Sequence, residues 1–211
     1  LFLVHDQIYS QLVFGEHKHV MATALVPEAA PWVVAIDGIS KCFAATGLRV
    51  GWVFAPPVLT RKMKAMIGHV GAWAPRPIQK GLARFLREPE AMHEFQGEMN
   101  QRVEDRLHAL WLGFERLREA GYPVECVKPQ GALYLSIKFD LMGQKLGGVK
   151  IEKNEQIRQL LLDRAGMAVV AFQAFGLEEE NGWFRISVGA VSLADIEACL
   201  PRVRALLDDR D

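Results

Sequence analysis

The sequence lacks an excess of either charge. Lysine plus arginine number 25, as do aspartate plus glutamate, so the formal net charge is zero. Nothing in that balance points to a nucleic-acid surface or a polybasic membrane patch. No apolar run reaches membrane-spanning length. "LFLV" at the start is too short for the apolar core of a signal peptide, and His5 and Asp6 follow at once. Cysteine is scarce: Cys42, Cys126 and Cys199 lie far apart, and no two form a CxxC pair. That predicts reduced thiols and a cytoplasmic setting. A zinc-like ligand set is also missing. His17 and His19 flank Lys18 and are predicted to be solvated loop histidines. There is no internal repeat and no low-complexity segment. Finally, the chain opens on Leu1 rather than Met, inside an apolar run. A lone strand there needs neighbours, so the expectation is the C-terminal part of a longer protein.

What is present is a globular composition. Half of the 211 residues are hydrophobic, enough for a substantial core. Residues 1–5 read as a buried strand ending at Asp6. "WVVAI" and "RVGWVFA" read as further buried strands with Lys41 in a loop between them. "PPVLTRKMKAMIGHV" and "PRPIQKGLARFLRE" open on proline and read as helices. From Ala91 to Ala120 the apolar spacing predicts one long helix, closed by Gly121. Beyond it, "YPVECV", "ALYLSIKF", "MAVVAF" and "GWFRISVG" read as strands. "NEQIRQLLLDRAG" reads as a helix with Asn154 as N-cap and Gly166 as C-cap. A last helix follows Ser192 as N-cap, with Glu197 in its first turns and a kink expected at Pro201. "LMGQKLGGVK" reads as a mobile loop. The fold class is α/β. The expected division is residues 1–97, part of a larger sheet domain, and 98–211, a smaller α/β domain built on the long helix.

Some residues stand out against this background. Asp6 ends a strand, with Tyr9 three residues on. Ser40 and Lys41 sit in "GISK". Arg49 lies in "GLRVG", and Arg185 is inside the apolar strand "GWFRISVG". Each has an ordinary reading. Asp6 suits a turn cap, Tyr9 a half-buried aromatic, Arg49 a stem covering apolar surface, and Arg185 an edge strand. Lys41 suits a surface loop. Together they match the needs of one aldehyde cofactor. A lysine holds the aldehyde as a Schiff base. A serine and an arginine bind its phosphate. A carboxylate keeps its pyridine nitrogen protonated, a hydroxyl stabilises its phenolate oxygen, and a further arginine takes a substrate carboxylate.

"GISKCFAATGLRVG" resembles the pyridoxal-phosphate attachment motif of the class I/II aminotransferases of fold-type I architecture. The Asp–x–x–Tyr before it, "APRPIQ", "PQGALYL", "AGMAVVAFQAFG" and "FRISVG" extend the resemblance over nearly the whole chain. The resemblance implies that pyridoxal 5'-phosphate is the cofactor and that Lys41 carries it. It implies Asp6 for the pyridine nitrogen, Tyr9 for the phenolate oxygen, Ser40 and Arg49 for the phosphate, and Arg185 for the substrate's α-carboxylate. No metal is implied. Two departures stand out. Gly38 occupies a position where many relatives carry serine. The family's N-terminal half, with its glycine-rich turn, ring-stacking aromatic and asparagine, has no counterpart in these residues. The resemblance therefore implies the C-terminal half of an aminotransferase of amino-acid metabolism, a homodimer when whole. These residues alone are expected to be catalytically silent. A carbon–sulfur lyase or a synthase on the same scaffold remains open, as does the aminotransferase-like domain of a transcription regulator.

Overall fold

A computed structural model describes residues 1–210. The chain divides into two compact units, Leu1–Asn100 and a second that begins at Gln101.

The first unit is built on a three-stranded sheet. Strand β1 (Leu3–Asp6) pairs in parallel with β2 (Val33–Gly38), and β3 (Gly51–Phe54) pairs antiparallel to β2. The order is β1-β2-β3. Central β2 carries the uninterrupted apolar run Val33-Val34-Ala35, all buried, as a strand covered on both faces should. Around it lie two single-turn helices, α1 (Ala22–Leu25) and α2 (Ile39–Cys42). Two longer helices follow, α3 (Pro57–Val70) and α4 (Arg76–Phe85). Proline opens α3 where its missing N–H costs nothing, and Gly71 in the left-handed region closes it. The 31-residue α5 (Pro89–Glu119) follows, and the division between units falls within it.

The second unit is an antiparallel sheet in the order β4-β5-β9-β8. Its strands are β4 (Val124–Cys126), β5 (Tyr134–Phe139), β8 (Val170–Ala171) and β9 (Trp183–Ser187). Residues alternate along β5, with Leu135, Ile137 and Phe139 buried. On α5, Val103, Leu107, Leu110, Phe114 and Leu117 recur at steps of four and three and form its buried stripe. Phe114, Phe139 and Phe184 stack edge to face at 5.8 and 6.0 Å. The last helix, α7 (Leu193–Asp208), adds Ile196, Val203, Leu206 and Leu207 to the core.

Several expectations need correction. β1 forms, but Leu3 is 51% and Val4 61% exposed, because β1 is an edge strand and its apolar side chains have no cover among the described residues. Lys41 does not lie in an open loop: it sits on the helical turn α2. The stretch 141–150 is not a loose loop. It holds the hairpin β6 (Lys145–Leu146) and β7 (Val149–Lys150), turned by Gly147 and Gly148 at positive φ and anchored by buried Leu141, Leu146 and Ile151. Asn154 is not the cap of α6 (Asn154–Leu160). Lys153 occupies that position, its N–H bonded to the Gln156 side chain at 2.9 Å, and Asn154 is 1% exposed. "MAVVAF" contributes only Val170–Ala171 to the sheet, after which Phe172–Phe175 turn as a 3₁₀ helix. Ser192 does cap α7, with Asp195 as its reciprocal partner, and Pro201 lies inside the helix. Among the described residues no helix is long and apolar enough to cross a membrane, and no cluster of His, Cys, Asp or Glu could hold a metal ion.

Candidate active site

The directions of the strands collect the candidate residues of the first unit. Because β1 and β2 run parallel, with Asp6 opposite Ile36, both strands end at one edge of the sheet. Antiparallel β3 begins at that same edge, with Gly51 opposite Gly38. Asp6 and Tyr9 leave β1 there, Ser40 and Lys41 leave β2, and Arg49 enters β3. The carboxyl edge of parallel strands is where α/β sheets bind their ligands.

The local geometry explains how each side chain is held. Asp6 accepts a hydrogen bond from the Ile8 N–H at 3.2 Å, starting the turn that continues with Ser10 N–H to Gln7 C=O at 2.8 Å. The half-buried Lys41 amine lies 5.9 Å from the centre of the Tyr9 ring. Ahead of it, Gly38 permits the close crossing of β2 and β3. A Cβ there would come within 3.0 Å of Gly51 Cα and of the Val50 carbonyl oxygen. The absence of serine at this position thus has a packing reason in this chain. The Gly38 N–H donates to Asp37 Oδ1 at 2.7 Å. Burial pushes the Asp37 carboxyl above its ordinary value, against the pull of that bond. Cys42 follows Lys41 but is no nucleophile. Its thiol donates to the Gly38 carbonyl at 3.3 Å, and burial pushes it up to about 11. Arg49 takes the left-handed conformation, φ 56°, and its Nη1 donates to the Thr46 carbonyl at 2.8 Å. A guanidinium has five N–H donors, so this bond leaves most of them for an anion. His17 and His19 are exposed, and His19 Nε2 lies 3.1 Å from Gln7 Oε1.

Arg185 belongs to the second unit. On β9 it faces away from buried Phe184 and lies opposite Ser136 of β5. Its guanidinium carbon is 4.1 Å from the centre of the Tyr134 ring and 4.3 Å from that of Phe175. The sequence reading singled out Arg185 but missed the two aromatics. "PQGALYL" and "AFQAFG" contain them, yet only pairing across the strands shows that they serve the arginine.

The edge of the first unit offers an amine, a carboxylate, a phenol, a hydroxyl and a guanidinium. That donor set fits a phosphorylated pyridine aldehyde: one acid for a ring nitrogen, one amine for an aldehyde, and a hydroxyl with an arginine for a phosphate.

The family model "Aminotransferase class I and II" matches residues 1–203. A probable aspartate/prephenate aminotransferase of Rickettsia bellii is 32% identical over 96% of this chain and 49% of its own. An aspartate aminotransferase of Streptomyces avermitilis is 28% identical over 99% of this chain and 49% of its own. Among solved structures, an aspartate aminotransferase from Rhizobium meliloti superimposes with a TM-score of 0.85 at 25% identity, covering 100% of this chain and 50% of that one. An aromatic aminotransferase from Pyrococcus horikoshii gives 0.84 at 26% identity, covering 99% and 51%. The chain spans about half the length of the relatives it matches. It belongs to the class I and II aminotransferases.

Proposed function

We propose that the polypeptide carrying these residues is a pyridoxal-phosphate-dependent aminotransferase that moves the amino group of an α-amino acid to a 2-oxo acid. The observation that supports this best is the gathering of Asp6, Tyr9, Ser40, Lys41 and Arg49 at one edge of the sheet of the first unit. In this reading residues 1–97 are the C-terminal part of the cofactor-binding large domain, and 98–211 form the small domain. The whole protein is a cytoplasmic homodimer, a setting in keeping with its free thiols.

When bound, pyridoxal phosphate supplies the electron sink that makes the α-proton of an amino acid removable. Lys41 Nζ would hold the cofactor's aldehyde carbon and, once free of it, would take the proton from the substrate Cα as base and deliver it to that aldehyde carbon as acid. Asp6 would keep the proton on the pyridine nitrogen, and Tyr9 would donate to the phenolate oxygen. Ser40 and Arg49 would hold the phosphate, and Arg185 would grip the substrate's α-carboxylate with a two-bond fork.

The test is borohydride reduction of the cofactor-loaded protein followed by peptide mapping. Label on Lys41 is the expected result, and label on Lys62, Lys64 or Lys80 overturns the assignment. Transfer to 2-oxoglutarate, measured against release of pyruvate and ammonia, separates the aminotransferase from a lyase.

A further inference from the structure

Asn154 is a polar side chain sealed in the second unit, 1% exposed, at the first position of α6. A buried amide is costly unless each of its atoms finds a partner. Asn154 Oδ1 accepts from the Gly182 N–H at 2.8 Å, just before β9. That bond fixes the amide's orientation, because only oxygen can accept there. Its Nδ2 therefore donates to Gln173 Oε1, at 3.0 Å. Gln173 Nε2 in turn donates to the Glu179 carbonyl at 2.5 Å and reaches Glu180 Oε2 at 3.3 Å. The Asn154 N–H donates to the same Glu180 carboxylate at 2.6 Å. Start of helix, 3₁₀ turn and the approach to β9 are thus tied by one closed polar ring.

Gln173 lies in the turn Phe172–Phe175. That turn ends on Phe175, whose ring centre lies 4.3 Å from the Arg185 guanidinium carbon, while that of Tyr134 lies at 4.1 Å. Tyr134 is placed by the β5 strand itself, diagonal to Arg185 across the β5–β9 pairing. Phe175 has no such strand to hold it, is half exposed, and depends on the turn. A guanidinium packed against two aromatic rings loses less freedom when its edge binds a carboxylate.

We propose that Asn154 is a positioning residue for the substrate-carboxylate clamp. Through Gln173 it holds the 172–175 turn, and the turn holds Phe175 against Arg185. Neither Asn154 nor Gln173 touches the substrate. The proposal rests on the reading of Arg185 as the carboxylate ligand.

The experiment uses Gln173→Met in the cofactor-loaded protein. This change removes the tie to the turn, keeps side-chain length and leaves the Asn154–Gly182 bond intact; because it also takes the acceptor from Asn154 Nδ2, circular dichroism is read alongside to verify that the variant is folded, whereas Asn154→Ala would strip the Gly182 N–H of its partner as well. Hydrogen exchange is read at the amides of residues 172–177. Kinetics are read for an amino-acid substrate and for the matching amine without a carboxylate, with Arg185→Lys as the parallel variant. Faster exchange in the turn is expected, with KM for the amino acid raised about tenfold, the worth of one lost hydrogen bond. kcat and the amine are expected to be unaffected. If Arg185→Lys penalises the amino acid alone while Gln173→Met leaves its KM unchanged, the proposal falls and the reading of Arg185 stands. If Arg185→Lys penalises both substrates equally, that reading falls and takes the proposal with it. Unchanged exchange in the turn also overturns the proposal.

Discussion

In the second unit Phe114, Phe139 and Phe184 are wholly buried and stacked edge to face, whereas in the first unit β1 presents Leu3 and Val4 more than half exposed. The second unit buries its aromatic core among its own elements. The first carries an edge strand with an apolar row, which is a surface for pairing. The difference extends to the polar side chains. In the second unit buried Asn154 has every atom of its amide paired. In the first, Asp6 and Arg49 are exposed, and each makes a single local bond. Stability is concentrated where side chains are satisfied, and chemistry where donors are left to spare.

Lys41→Ala is the hardest test of that division. Transamination by the polypeptide carrying these residues is expected to fall about a hundred- to ten-thousandfold, the range for losing a positioned acid–base group. The unfolding midpoint in denaturant is expected to move little, since Lys41 is only half buried. A comparable loss of stability would show that the lysine is a structural element of the sheet edge.

The converse experiment pairs one substitution from each unit. Phe114→Ala removes a ring with no exposure from the aromatic stack and is expected to cost about 3–5 kcal/mol. Val4→Thr on the exposed face of β1 is expected to stay within about 0.5 kcal/mol. Denaturant unfolding of this chain measures both. Similar costs at the two positions would erase the contrast between a closed core and an open one.

Gly38→Ala tests the one tight crossing in the first unit. The new methyl meets two backbone atoms at 3.0 Å, and backbone cannot rotate aside. A cost of about 1–3 kcal/mol is expected from overpacking. A second expected sign is faster amide exchange in α2, the turn that carries Lys41. A neutral result would mean that β2 and β3 separate easily at this edge.

How much of this was legible in the sequence follows from how local each signal is. The long helix was readable because a stripe such as Val103, Leu107, Leu110, Phe114 and Leu117 repeats over many turns. The lysine–arginine spacing of the Lys41 motif was readable because the whole turn lies within consecutive residues. The hairpin at 145–150 was not. Its two-residue strands carry too few side chains to show alternation, and its glycines suggested looseness where they make a turn. Nor was the role of Asn154, whose partners are Gln173, Glu180 and Gly182, far away in sequence. The aromatic cover on Arg185 escaped for the same reason: Tyr134 and Phe175 reach it from another strand and another turn.

A loss of helix-cap size is expected at the start of α7, where the second unit depends on charge rather than packing. Ser192 Oγ accepts from the Asp195 N–H at 3.1 Å, and the Ser192 N–H donates to Asp195 Oδ2 at 2.8 Å. Ser192→Ala is expected to cost about 1 kcal/mol, as for a lost helix cap. The bonds from the Ser192 hydroxyl and N–H hold the Asp195 carboxyl below its ordinary value. A carboxylate depressed in the folded chain contributes stability that is fully present above its unfolded pKa, near ~3.9, and is lost as pH falls through the folded value. The contribution is therefore intact at neutral pH and disappears in acid. Thermal unfolding of the wild-type chain and of Asp195→Asn, followed from pH 7 downwards, reads it directly. The gap between the two is expected to narrow as the pH drops below about 4, because both then carry an uncharged group at this position. A gap that stays constant through acid would show that the reciprocal bond works through geometry alone, with no share from the charge of Asp195.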